Sequence, residues 1–405
     1  MNQPRLLYLQ SGGPTAVLNA SAQGVIETAR KLGISVYAAR DGLAGLLEDR
    51  LVNTDGVSDH DIARLGFLPG GHFGVSRRML GSFDECPEDW LRMKTVLARH
   101  GIHYLLINGG NGSLGCAARL ADFQCHTGHA LHVIGIPKTI DNDLLGTDNS
   151  PGYGSAAKFL ASTMLEVGMD MISMGRGRVF IMEAMGRHTG WLAAAPAAAR
   201  IHGGQAPHIV LLPEVPFDQE KFLAAVDASL AAHGQCAISV AEGLTDAAGR
   251  FVTEANASAI YGHEQLGGVG SWLAALLKRE RGLSAHVAQV DYLQRAAGHL
   301  VSATDAAQAY QMGQKGVEWL QAGKSGVMAG IRRLSDHPYR WEVADFPLAD
   351  VGDMEKAFPP HFIAADGYGV TQAFLDYLLP LMEGERMPPF RQGLPDYRRI
   401  EWPPV

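Results

Sequence analysis

Cysteine is scarce in this chain: four in 405 residues, Cys86, Cys116, Cys125 and Cys236, with no CxxC spacing among them. That excludes a disulfide framework and a zinc ribbon, and predicts reduced thiols in a cytoplasmic protein. Charged residues make up only 19% of the sequence, and the formal net charge is -8. An acidic balance argues against nucleic acid or an anionic membrane surface as the main partner. A local basic cluster can still oppose it and hold an anionic substrate. No apolar run is long enough to span a bilayer, and the strand-like Leu6-Leu7-Tyr8-Leu9 is preceded by no signal-peptide pattern. Internal repeats, low-complexity tracts and an obvious linker between domains are also missing. His126, His129 and His132 recur every third residue and read as a polar surface stretch leading into a strand.

Glycine, by contrast, is plentiful, with 48 residues, which points to tight turns or close backbone approaches to a ligand. Short apolar runs alternate with helical patterns and predict strands at Leu6–Leu9, Val36–Ala38, Ile102–Ile107, Leu131–Ile136, Val179–Met182, Ile209–Leu212 and Ala237–Ala241. Helices are expected over Val17–Leu32, closed by Gly33, and over the alanine-rich stretch from Gly152 to Met171. Most strands are followed by glycine and then a polar residue. That is the pattern of a doubly wound α/β architecture, whose ligands are collected at the carboxyl ends of parallel strands. The tail after about Ile331 turns charged and proline-rich and reads as a wrap-around extension.

Several of these strand ends carry chemistry. Ser11-Gly12-Gly13-Pro14-Thr15 hands the first strand to the first helix, where backbone amides can face an anion. Pro69 to Arg78 is a glycine-rich loop ending in Arg77-Arg78, and guanidinium groups match phosphate oxygens in shape and charge. Gly110, Gly112 and Gly115 satisfy GxGxxG between a strand and a helix, which leaves a dinucleotide site open. The acids near the end of the next strand, Asp141 and Asp143, sit in a polar loop with Lys138 and fit that pattern poorly. Gly323-Lys324-Ser325 resembles the end of a P-loop, but Glu318 stands where the leading glycine belongs.

The densest cluster is Pro137-Lys138-Thr139-Ile140-Asp141-Asn142-Asp143. It puts a cation, a hydroxyl and two carboxylates after a buried strand. In extended backbone Asp141 and Asp143 point the same way. One carboxylate could take a proton from an attacking hydroxyl while the other orients a neighbour or steadies a metal ion.

Taken in order, these stretches resemble the phosphofructokinase family over nearly the whole chain, most of all its bacterial pyrophosphate-dependent branch. The resemblance rests on Ser11 to Thr15 with Asn19, the loop to Arg78, Asn108 to Ser113, Pro137 to Asp143 and Met185-Gly186-Arg187. It continues through Pro213 to Phe217, Ala241-Glu242-Gly243 and Tyr292-Leu293-Gln294-Arg295. It implies two doubly wound Rossmann-like domains with mostly parallel sheets and an active site in the cleft between them. Residues 1–150 plus about 294–345 would bind the phosphoryl donor. Residues 151–293 plus about 346–405 would bind fructose 6-phosphate and form the C-terminal extension.

In the roles the resemblance implies, Asp141 is the base for the sugar 1-hydroxyl, Thr139 positions that hydroxyl, and Asp143 supports the base. Lys138 and Arg78 would hold the transferred group, and Gly12, Gly13, Gly110, Asn111, Gly112 and Ser113 would line the donor site. Met185, Gly186, Arg187, Glu242, Tyr292 and Arg295 would form the sugar-phosphate pocket. Arg178 would reach the pocket of a neighbouring subunit in a homodimer or homotetramer. Mg²⁺ is the implied cofactor, with Asp141 and Asn111 as candidate ligands.

Two departures stand out. ATP enzymes of the family carry an aspartate where this chain has Asn111, and pyrophosphate enzymes carry one where it has Gly112. His286 replaces an inter-subunit arginine, so its hold on a phosphate would depend on protonation. Pyrophosphate is the expected donor, in a reversible reaction of glycolysis and gluconeogenesis. ATP remains the alternative, because Gly112 lacks the excluding carboxylate. A catalytically silent sugar-phosphate-binding subunit is the rival from another class.

Overall fold

The computed structural model describes residues 4–202, 205–253 and 267–405. Its strands of three or more residues are β1 (Arg5–Gln10), β2 (Ser35–Ala39), β3 (Leu51–Asn53), β4 (Ile102–Gly109), β5 (His132–Pro137), β6 (Arg178–Ala184), β7 (Ile209–Leu211), β8 (Gln235–Ala241), β9 (Ala285–Gln289), β10 (Val327–Asp336) and β11 (Tyr339–Pro347). The chain divides into two compact units. The first comprises Met1–Ser155, Arg295–Lys356 and Gly384–Val405, and the second Ala156–Gln294 and Ala357–Glu383.

The first unit is built on a sheet in the order β11-β10-β5-β4-β1-β2-β3. Its central strands are parallel, and β3 and β11 close the edges as antiparallel partners. β1, β4 and β5 are buried over most of their length, as near-continuous apolar runs require when helices cover both faces. One face packs Trp90, Met93 and Phe123 against Leu7, Leu9 and Leu105. The other packs Val25, Ile26, Met312 and Val317 against Leu6, Tyr8 and Leu106. The second unit carries a smaller sheet, β7-β8-β6-β9, whose neighbouring strands are all parallel.

The helices expected near the chain's start and middle are present as Leu18–Lys31 and Tyr153–Ser173. The tail differs from its sequence reading. Ile331 lies within β10, and β10 and β11 form an antiparallel hairpin that extends the first sheet. Its outer stretches alternate in exposure, and Arg332 pairs across the ladder with Glu342 at 2.9 Å. Charge that reads as a wrap-around extension is here, in part, the solvent face of an edge strand.

The last residues also belong elsewhere than expected, because Gly384–Val405 joins the first unit rather than the second. Ile400 and Trp402 are buried. The Trp402 ring lies 4.7 Å from Phe73, and the Ile400 backbone meets His72 Nε2 at 3.2 Å. Within the second unit, Phe358, Phe362 and Tyr377 gather around Trp191.

Candidate active site

Three neighbouring parallel strands of the first unit, β1, β4 and β5, end at the same edge of the sheet, with Gln10 opposite Asn108 and Gly109 opposite Pro137. Their loops therefore emerge side by side. Lys138 N donates to Gly109 O at 3.0 Å, which keeps the β5 loop on its neighbour. Gly12 N donates to Ser76 O at 3.1 Å, and Ser11 bridges Ser76, which draws the arginine-bearing loop to the same edge.

Lys138 is only 3% exposed and runs beneath the first glycine turn, where its Nζ donates to Gly13 O at 2.5 Å. A Cβ on Gly12, whose φ is +74°, would lie 3.2 Å from that Nζ, and one on Gly13 would lie 2.8 Å from Arg295 Nη1. The positive φ favours glycine at position 12, and two cations press against the turn. Burial pulls the Lys138 amine down to about 8, with Asp141 pulling the other way and Arg295 adding to the fall.

Thr139 Oγ1 donates to Asp141 Oδ2 at 3.2 Å and accepts from Asp141 N at 3.1 Å, so hydroxyl and carboxylate form one tight turn. Asn142 follows in the left-handed region at φ 56°, and its Oδ1 accepts from Ser150 N at 3.0 Å. The backbone between the aspartates is therefore turned, not extended, and the expectation of two carboxylates on one face of an extended segment is corrected. Asparagine tolerates this conformation, which most residues avoid. Burial raises both carboxyls, Asp143 to about 7, where the Asp141 charge adds to the effect. Asn111 Nδ2 donates to Asp143 Oδ2 at 3.1 Å, while its Oδ1 is buried without a hydrogen-bond partner.

The tail supplies a residue that sequence reasoning missed. Lys356 N donates to Asp143 O at 2.6 Å, and its Nζ donates to the carbonyls of Thr147 at 3.2 Å and Asp148 at 2.7 Å. Burial lowers its amine to about 8. It braces the aspartate loop from behind. Nothing in the sequence around Lys356 marks it, because the link is made by the fold.

Two expected residues stand differently. Arg78 donates from Nη2 to both carboxylate oxygens of Asp89 at 2.9 Å, so it must leave that pair to reach a phosphate. Its neighbour Arg77 is among the charges that depress Lys138. Arg295, expected in the sugar-phosphate pocket, packs within the first unit beside Gly13, and its charge opposes the rise that burial imposes on the Asp141 carboxyl.

In the second unit the carboxyl ends of β6 and β8 interlock. Gly186 N donates to Glu242 Oε1 at 3.3 Å, and Gly243 N donates to Gly186 O at 3.1 Å. Met185, Gly186, Arg187 and Glu242 are thereby brought to one place. Tyr292 follows β9 and is 58% exposed. Arg178 is the first residue of β6, at the opposite end of the strand from Met185. At about 3.3 Å per residue that is roughly 20 Å away. One chain therefore cannot place Arg178 and Gly186 around the same small phosphate. All four cysteines are free thiols. Among the described residues no helix is long and apolar enough to cross a membrane.

A model of the phosphofructokinase family matches residues 5–320. The chain belongs to the phosphofructokinase family. It is 45% identical over 396 residues to the pyrophosphate–fructose 6-phosphate 1-phosphotransferase of Methylococcus capsulatus, covering 96% of this chain and 94% of that relative. It is also 45% identical over 401 residues to the enzyme of that name from Xanthomonas campestris pv. campestris, covering 98% and 96%. The crystal structure of the pyrophosphate-dependent phosphofructokinase from Nitrosospira multiformis superposes with a TM-score of 0.91 at 41% identity, over 99% of this chain and 97% of that one. Family membership removes the dinucleotide reading of the GxGxxG glycines.

Proposed function

We propose that this phosphofructokinase transfers a phosphoryl group from pyrophosphate to the 1-hydroxyl of fructose 6-phosphate, giving fructose 1,6-bisphosphate and phosphate. The observation that carries the reading is the joint placement of Lys138, Thr139, Asp141 and Asp143 against the glycine turn of β1. An intact base with a hydroxyl beside it is what transfer to an alcohol needs, and a silent subunit would have no use for it. The names of the full-length relatives favour pyrophosphate as the donor.

In this reading Thr139 orients the sugar hydroxyl and Asp141 accepts its proton as the oxygen attacks. Lys138 and Arg295 lie where negative charge gathers on the transferred group, and phosphoryl transfer depends chiefly on such positioning and charge. In helix Asn111–Arg119 the Asn111 and Gly112 amides precede the first intrahelical bonds, which Ser113 N and Leu114 N make to Gly110 O, and in this reading they face the donor oxygens. Met185, Gly186, Arg187, Glu242 and Tyr292 form the sugar-phosphate pocket, and the subunits assemble so that Arg178 completes a neighbour's pocket.

The acceptor oxygens of Asp141 and Asn111, including the unpartnered Asn111 Oδ1, suit a hard cation. Among the described residues no group of three or more His, Cys, Asp or Glu side chains forms a cage. Mg²⁺ commonly needs only one or two protein carboxylates, with water and substrate phosphates completing its shell. Asp141 and Asn111 would hold the ion, and its charge would offset that of the phosphoryl groups.

An aldolase-coupled assay with fructose 6-phosphate, Mg²⁺ and either pyrophosphate or ATP tests the proposal, run also in reverse from fructose 1,6-bisphosphate and phosphate. Turnover with pyrophosphate in both directions is expected. Turnover with ATP alone would overturn the donor assignment, and none with either donor would overturn the enzyme.

A further inference from the structure

Gly112 raises a question that the family resemblance leaves open. A carboxylate there would exclude a third phosphoryl group, and glycine has none. The space is nevertheless filled. A Cβ built on Gly112 would lie 2.1 Å from Met79 Cε and 3.7 Å from Met79 Sδ. Met79 follows the arginine pair on the loop that Ser76 ties to the β1 turn. Its terminal methyl therefore lies against the opening turn of helix Asn111–Arg119, whose first amides face the donor in the reading above. Met79 also lines a small, mostly apolar hollow of about 10 Å³ together with Leu43, Leu105, Ile107 and Leu120.

We propose that Met79 is a donor-specificity residue: its thioether occupies the position that the excluding carboxylate would take from residue 112, so that pyrophosphate fits and a longer phosphate chain does not. The inference rests on the pyrophosphate reading above and adds to it the means of exclusion. The exclusion is steric and apolar where a carboxylate would act by charge. It is also yielding, because Met79 is 44% exposed and methionine has three rotatable bonds. A triphosphate can push it aside at a cost, so discrimination appears as a ratio between donors.

The test compares kcat/KM for pyrophosphate, ATP and inorganic tripolyphosphate in the wild type, Met79→Ala, Met79→Leu and Met79→Ala/Gly112→Asp. Tripolyphosphate probes the third phosphoryl position without a nucleoside. Removing a few heavy atoms from a packed specificity contact changes discrimination by about 10–200-fold. Met79→Ala should therefore raise the tripolyphosphate-to-pyrophosphate ratio at least about tenfold. The rise should be carried mainly by KM for the longer donor. Met79→Leu, which keeps the bulk, should stay near the wild-type ratio, and adding Gly112→Asp to Met79→Ala should reverse the gain.

A parallel gain with ATP supports the inference. A gain with tripolyphosphate alone also supports it and puts the nucleoside's exclusion elsewhere. An unchanged ratio in Met79→Ala protein that still uses pyrophosphate overturns the inference and leaves the enzyme standing. So does a wild type that uses ATP and pyrophosphate equally well. A wild type without pyrophosphate activity overturns the donor reading itself.

Discussion

Replacing Asp143 by asparagine is expected to stabilise the ligand-free protein at pH 8 and to leave it nearly unchanged at pH 4. Burial, with the neighbouring Asp141 charge, raises the Asp143 carboxyl from 3.8 to about 7. The native state then holds this proton more tightly than the unfolded chain does. Stability accordingly falls as pH rises from about 4 to about 7, and above that the full penalty of the buried charge remains. The difference between 3.8 and about 7 corresponds to roughly 4 kcal/mol. It is already net of the opposing attraction of Lys356. Asparagine removes the charge but still buries an amide, and one imperfect hydrogen bond takes back about 1–3 kcal/mol. A gain of about 2 kcal/mol at pH 8 is the balance of the two. For a unit of this size that is about 4–8 °C in Tm. Thermal unfolding of wild type and Asp143→Asn at the two pH values measures it, and turnover should fall in the same variant. A variant no more stable than wild type at pH 8, or equally stabilised at both pH values, would refute the reasoning.

Other variants separate the proposed roles. Asp141→Asn should lower kcat by about 10²–10⁴-fold while sparing fructose 6-phosphate affinity, the signature of a lost base. Near-normal turnover would remove Asp141 from the mechanism. Arg187→Ala should raise KM for fructose 6-phosphate much more than for the donor, since charge-assisted bonds to phosphate are strong. Arg295→Ala should also raise the sugar KM but, from its place beside Gly13, should lower kcat as well; an unchanged kcat would return it to substrate recognition alone. Arg178→Ala should raise the sugar KM, and mixed oligomers of Arg178→Ala with Asp141→Asn chains should regain activity, whereas no rescue would argue for a site completed within one chain.

What could be read from the sequence and what could not divide along physical lines. The central strands were legible because burial on both faces demands continuous apolar runs. The Lys138–Asp143 cluster was legible because polar residues after such a run have few reasons to be there. The β10–β11 hairpin was misread because an edge strand with a solvated face carries the same charges as a loop. Asn142 offered a local hint, since asparagine favours the left-handed turn it adopts, yet reading the aspartates as extended neighbours overlooked it. Lys356 reaches the site through tertiary packing that no local pattern encodes, whereas Arg295 was named from its motif and only its place beside Gly13 was not foreseen. Gly112 is the most instructive case. A glycine in a sequence says only that nothing is attached at that position, not that the space is empty. Whether another group fills it depends on the partner loop, and here the Ser11–Ser76 pairing holds that loop in place and brings Met79 onto the gap. The reading of Gly112 as an opening for ATP and the reading of the whole chain as a pyrophosphate enzyme conflict only while the side chain two loops away is left out.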